Sequence, residues 1–133
     1  MTLDSLIAAL GDKIQLDSRF DDENEEWVLD VHLEGGRNQE VRLYTFDESD
    51  AQWVRIITSI GSASDFSEGR LHTAMEVNAS LLYGALSLFQ GHVVLTACAP
   101  LDRAHHNETA DAVRYIARMA DTYEKLLFGL DRA

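Results

Sequence analysis

The feature that most constrains this chain is an apolar stripe near its C-terminus. Val113, Ile116, Ala120, Tyr123, Leu127 and Leu130 follow one another at spacings of 3, 4, 3, 4 and 3 residues. An α-helix, at about 3.6 residues per turn, brings such positions onto one face. A helix of about five turns with one apolar face must bury that face against a second layer, so the rest of the chain has to supply one. Asn107 or Thr109 is placed to cap the helix start, and Glu108 and Asp111 suit the positive end of its dipole.

The second layer is legible upstream as alternation. Trp27–Glu34 sets Trp27, Leu29, Val31 and Leu33 against Asp30, His32 and Glu34, the period of a strand with one buried face. Gly35-Gly36 is a hairpin signal. Gln39–Asp47 returns with Val41, Leu43 and Thr45 on one side and Arg42, Tyr44 and Phe46 on the other. After a polar turn, Gln52–Ile60 alternates Val54, Ile56, Thr58 and Ile60 with Trp53, Arg55, Ile57 and Ser59. Leu81–Phe89 and His92–Ala99 are apolar on both faces and read as two central strands covered on both sides, the second stopped by Pro100.

Two further helices complete the pattern. One spans residues 3–14 on Leu3, Leu6, Ile7, Leu10 and Ile14, with Thr2 or Asp4 as its cap. The other runs from an Asp65/Glu68 capping box to about Asn78, a residue suited to the left-handed position that ends helices. The order is α-β-β-β-α-β-β-α. It predicts an α+β fold, with a five-stranded, mainly antiparallel sheet packed by the long C-terminal helix, in a single domain over 1–133.

Charge narrows the partners. The chain has 23 Asp+Glu against 11 Lys+Arg, a net charge of −12, which repels phosphate backbones and anionic lipids. No nucleic-acid or membrane partner is expected. Residues 1–70 carry 16 acids and 6 bases, densest in Asp17–Glu26, which reads as a solvated loop before the first strand. A calcium loop of the EF-hand kind needs a central Gly, which this stretch lacks. The N-terminal segment has no basic stretch before an apolar one, and no run reaches the 18 or so apolar residues of a membrane span, so a cytoplasmic location is expected.

Motifs for chemistry are missing. One Cys supports neither a disulfide framework nor a Cys-based zinc site, and Cys98, between Ala97 and Ala99, reads as core. His32, His72, His92, His105 and His106 lack metal-binding spacing, and neighbouring side chains such as His105 and His106 diverge. Ser59, Ser62, Ser64 and Ser67 sit in no nucleophile elbow, and Gly61–Ser64 has no phosphate-loop spacing. Acid pairs such as Asp21/Asp22 and Glu25/Glu26 carry no information among 23 carboxylates. The expectation is a protein without enzyme activity, metal or cofactor. Tyr44, Phe46 and Trp53 are the candidate interaction residues. Either they are buried under the last helix, or they share a face too apolar for water and meet a partner there.

The element order, the helix closing in MEVNASLLYGAL, the strand pair LLYGALSLFQGHVVLTACAP and the terminal ADAVRYIARMADTYEKLLFGLD together resemble the type III secretion chaperone-like superfamily. YbjN-type domains, related to bacterial sensory transduction regulators, look nearest. The resemblance covers most of residues 3–130 and rests on Asn78, Pro100 and the Ala120-Asp121…Glu124…Leu127 pattern. It implies a small, acidic homodimer that holds an extended or unfolded protein segment on apolar patches and strand edges. YbjN-type members imply instead a regulatory module in a larger complex, without a client. A small-ligand sensor or enzyme on the aromatic face is the third reading. The acidic run before Trp27 has no counterpart in the resemblance.

Overall fold

Alternation in the sequence becomes a six-stranded antiparallel sheet in the computed structural model, which describes residues 1–128. β1 (Leu16–Asp21), β2 (Glu26–His32), β3 (Asn38–Glu48) and β4 (Ala51–Ser62) run as a meander. β5 (Ala85–Phe89) and β6 (His92–Pro100) follow, and the spatial order is β1-β2-β3-β4-β6-β5. Three helices accompany it: α1 (Leu3–Gly11), α2 (Glu68–Asn78) and α3 (His106–Phe128). Leu130, the last member of the C-terminal stripe, lies outside the described residues.

All three helices contribute to one core on one side of the sheet. Leu29 and Val31 of β2, Val41 and Leu43 of β3, Val54 and Ile56 of β4 and Leu95 of β6 are buried there. They meet Leu6 and Leu10 of α1, Ala74 of α2, and Val113, Ile116, Ala120, Tyr123 and Leu127 of α3. The stripe that opened the sequence reading therefore covers the sheet as its period requires. Trp27 and Leu33 pack against the same core, so the inward set of that first alternating segment stands as read.

The sheet has six strands rather than five, because half of the acidic run is a strand. Leu16–Asp21 pairs with Glu26–Val31, and only the residues between Asp21 and Glu26 turn. Asp21 closes that turn by accepting from the backbone N–H groups of Glu23 (3.1 Å) and Asn24 (3.3 Å) and from the Asn24 side chain (2.9 Å). Phe20 packs edge-on against Trp27 at 5.5 Å between ring centres. Density of charge hid a short Leu16–Ser18–Phe20 alternation.

The Leu81–Phe89 reading also needs correcting. The strand begins at Ala85, lies at the sheet edge and is mostly exposed, whereas β6 lies inside the sheet with one face covered. Gly84 leads in at φ +74°, where a Cβ would stand 2.4 Å from the Thr96 carbonyl oxygen. Apolar composition on both faces came from small and aliphatic residues, not from a second covering layer.

Helix ends differ in detail. Thr2 caps α1 by accepting from the Ser5 N–H, and Ser67, rather than Asp65, caps α2 by accepting from the Arg70 N–H at 3.2 Å. Asn78 is helical, and Ala79 ends the helix in a right-handed conformation. The Asn78 side chain serves another purpose: it accepts from the Leu86 N–H (2.7 Å) and donates to the Leu86 carbonyl (3.4 Å). Neither Asn107 nor Thr109 caps α3. A single 3₁₀ turn, Arg103–His105, precedes it, capped by Asp102, and the buried Thr109 hydroxyl donates to the His105 carbonyl at 3.0 Å.

Candidate functional site: the uncovered sheet face

Because strand side chains alternate, burying Leu43, Val54 and Ile56 under α3 sends their neighbours to the other side. Phe46 stands directly across from Trp53, and Tyr44 from Arg55. Tyr44, Phe46 and Trp53 thus share one face, and it is the face away from the helices. Burial under the last helix is overturned: none of the three joins the core, and each is half-buried on a face with no covering layer.

Local contacts hold the aromatics in place. The Arg55 guanidinium lies over the Phe46 ring, 4.9 Å from its centre, and the Trp53 indole N–H donates to the Glu48 carbonyl at 3.2 Å. The β3–β4 hairpin that aligns them turns through Ser49 and Asp50, both at positive φ, which matches the right-handed strand twist.

Further along β3 the same face turns ionic. Arg42 pairs with Glu26, with Asp21 at 3.2 Å and with Glu40 at 3.6 Å, while Arg19 reaches Glu40 at 3.6 Å. Hydrogen bonding to Glu26 raises the Arg42 guanidinium above its usual range. Hydrogen bonds from Asn24 lead in holding the Asp21 carboxyl below its usual range. Val28 and Ile57, opposite Arg42 on the two flanking strands, are buried but stand outside the core, as does Val94. The Arg42 stem is placed to shield them while its head keeps company with the carboxylates.

Around Arg42, and reaching across β4 to Phe89 and His92, the face forms a concavity of about 620 Å³ that Tyr44 lines but Phe46 and Trp53 do not. Ile57 and Val94 contribute apolar surface, Tyr44 and Phe89 aromatic rings, and Glu26 and Glu40 carboxylates. Cys98 lies on this face too, across from Arg55, and is exposed. Its reading as a core residue is therefore wrong; Ala97, one position away, is the residue packed against the core.

Sequence reasoning found the aromatics and missed the Arg42 cluster. Two of its acids, Asp21 and Glu26, come from the run read as a loop, and only the strand register brings them to Arg42. The histidines are dispersed: His32 pairs with Asp17 (3.0 Å), His72 with Glu76 (2.9 Å) and His105 with Asp102 (2.5 Å), and His92 lies 3.1 Å from the Ser59 hydroxyl. Among the described residues no group of three or more His, Cys, Asp or Glu is arranged to hold a metal ion. Nor is any helix among them long and apolar enough to cross a membrane.

No protein-family model matches the chain, and no curated protein is significantly similar to it in sequence. The class defined by fold and site is that of an α+β domain with three helices on one side of an antiparallel sheet and a half-exposed aromatic and ionic face on the other.

Proposed function

We propose that this chain is a non-enzymatic, homodimeric, cytoplasmic protein-binding domain of the type III secretion chaperone-like kind, nearest to YbjN-type domains. It holds an extended polypeptide segment on its uncovered sheet face. The observation that carries this reading is the Phe46–Trp53 pair, left half-exposed with Tyr44 on strands whose other side is sealed. An extended segment presents alternate side chains every two residues, about 6.6 Å apart, so successive apolar groups reach the concavity and the aromatics in turn. A basic segment fits best, since Glu26 and Glu40 border the concavity and the chain carries −12 overall.

The test is fluorescence anisotropy with a labelled nine-residue peptide alternating apolar and Lys residues, beside a counterpart with Glu in place of Lys. The Lys peptide binds, and binding weakens as salt rises because screening shortens the reach of the carboxylates. Phe46→Ala with Trp53→Ala weakens it tenfold or more. Equal binding of the Glu peptide, or indifference to the double substitution, defeats the reading.

A further inference from the structure

Val28 and Ile57 are buried, at 4% and 9% exposure, on the face that no helix covers. Both stand directly across from Arg42 on the flanking strands. The apolar surface placed over them is the stem of that one flexible side chain. Its head is held by carboxylates that are themselves withdrawn from water. The Asp21 and Glu26 side chains are only 17% and 14% exposed, and both pair with Arg42. The open face therefore already holds a guanidinium, on two desolvated carboxylates beside an apolar floor.

The arrangement is looser at its other end. Arg42 reaches Glu40 only at 3.6 Å, and so does Arg19. Glu40 stands directly across from Asp30, two like charges facing each other, and Asp30 has no ion-pair partner among the described residues. Arg42 also borders the concavity, which gives its side chain room to swing.

Strand geometry sets the spacing of these groups. Glu26, Val28 and Asp30 are successive positions of β2 on this face, about 6.6 Å apart. Arg42 lies across from Val28, and Glu40 across from Asp30. Without Arg42, the three positions read acidic, apolar, acidic. An extended segment packed face to face on a sheet keeps within about 30° of its strands, and its alternate residues advance by the same step.

We propose that Arg42 is an internal stand-in for the bound segment, occupying a subsite for a stretch that reads basic-x-apolar-x-basic. On binding, the first basic side chain replaces Arg42 at Asp21 and Glu26. The apolar side chain replaces the Arg42 stem on Val28 and Ile57. The second basic side chain reaches Asp30 and Glu40, and Arg42 swings into the concavity. The exchange is cation for cation, because carboxylates as desolvated as Asp21 and Glu26 do not stand unpaired. A purely apolar segment therefore leaves Arg42 in place. The inference rests on the client reading above and names the sequence such a client presents.

Fluorescence anisotropy with a labelled peptide centred on Lys-Ser-Leu-Ser-Lys tests it, beside a counterpart of the same composition with its two Lys residues adjacent. Wild type binds the spaced peptide more tightly. Arg42→Gln removes the internal competitor and tightens that binding by about fivefold or more. Adding Glu26→Gln to Arg42→Gln abolishes the gain. Nuclear magnetic resonance reads the exchange in wild type itself, whether or not Arg42→Gln folds. The Arg42 Nε–H signal moves to the position of a free arginine as the spaced peptide saturates the protein. Equal affinity for the two peptides, unchanged or weaker binding by a folded Arg42→Gln, or an Arg42 signal that stays in place at saturation overturns the inference. Binding that depends on Phe46 and Trp53 but leaves the Arg42 signal in place removes the exchange alone. Wild type and Arg42→Gln that both ignore the peptides remove the client reading with it.

Discussion

Leu43 and Phe46 stand three residues apart on β3, and their partners Ile56 and Trp53 stand three apart on β4. The ladder, the twist and the hydrogen bonding are shared. Yet Leu43 and Ile56 are fully buried, while Phe46 and Trp53 are half-exposed. The difference lies in what covers them. α3 lays its stripe over the first pair, and no element lies over the second. The covered side is held chiefly by apolar packing, with a two-pronged Arg37–Asp121 pair tying α3 to the segment before β3. The uncovered side is held by an arginine over a ring, an arginine among carboxylates and the backbone beneath them. One sheet thus carries a face sealed by helices and a face left half-open.

Substitution along this shared ladder gives the largest expected contrast. Ile56→Ala removes a fully buried side chain and leaves a cavity, at a cost of about 2–5 kcal/mol. Phe46→Ala, on the uncovered side, costs about 1 kcal/mol, since much of its ring already meets water. Urea denaturation checks both. A Phe46→Ala loss as large as that of Ile56→Ala breaks the comparison, because it means the uncovered face is a second core.

Much of the covered side was legible in the sequence, and less of the uncovered side. The stripe Val113–Leu127 and the alternation of Leu29, Val31, Val41, Leu43, Val54 and Ile56 fix the two layers, because burial imposes a period. Nothing imposes a period on an uncovered face. Asp21, Glu26 and Arg42 are separated in sequence by an apparent loop and meet only through register. Cys98 has the composition of a core residue, and its face depends on which of Ala97 and Cys98 the β6 register turns inward. Asn78 reads equally well as a helix terminator, and its bonds to Leu86 follow from a tertiary approach that no local signal encodes.

Smaller effects come from the seam where β5 joins the sheet. Gly84→Ala places a methyl group 2.4 Å from the Thr96 carbonyl oxygen, at a φ of +74°. The backbone must move, and a loss of about 1–3 kcal/mol is expected in thermal or urea melts. Wild-type stability in this variant would show that the β5 approach to β6 is loose, and that the uncovered face is less rigid at this end. Asn78→Ala withdraws both bonds from the Leu86 backbone, for about 1–2 kcal/mol. Hydrogen exchange at the Leu86 amide, faster in the variant, localises that loss to the edge. Thr96→Val runs the other way. The Thr96 hydroxyl is buried without a hydrogen-bond partner among the described residues, so its removal stabilises the fold by up to about 1 kcal/mol.

The smallest expected effect tests the corner that ties the covering helix to the sheet. Between β6 and α3, the Asp102 carboxylate accepts from the His105 backbone N–H at 2.9 Å and meets its ring at 2.5 Å. The bond to Asp102 raises the His105 pKa above its usual 6.5, with Glu108 adding to the effect. The same bond, seen from the carboxylate, holds Asp102 below its usual 3.8. The His105 contribution is complete below pH 6.5 and fades as pH rises through the raised folded value. The Asp102 contribution is complete above pH 3.8 and fades as pH falls through the lowered one. Both act together between about pH 4 and 6.5, and both groups are solvent-exposed, so the effect is small. Urea midpoints at pH 5.5 and 8.5 for wild type and His105→Ala isolate it, because the two proteins differ at this residue alone. The wild-type advantage over the variant shrinks at pH 8.5. An advantage that is flat across this range would mean that the Asp102–His105 pair adds nothing to the anchoring of the covering helix, which then rests on its apolar stripe and its Arg37–Asp121 pair.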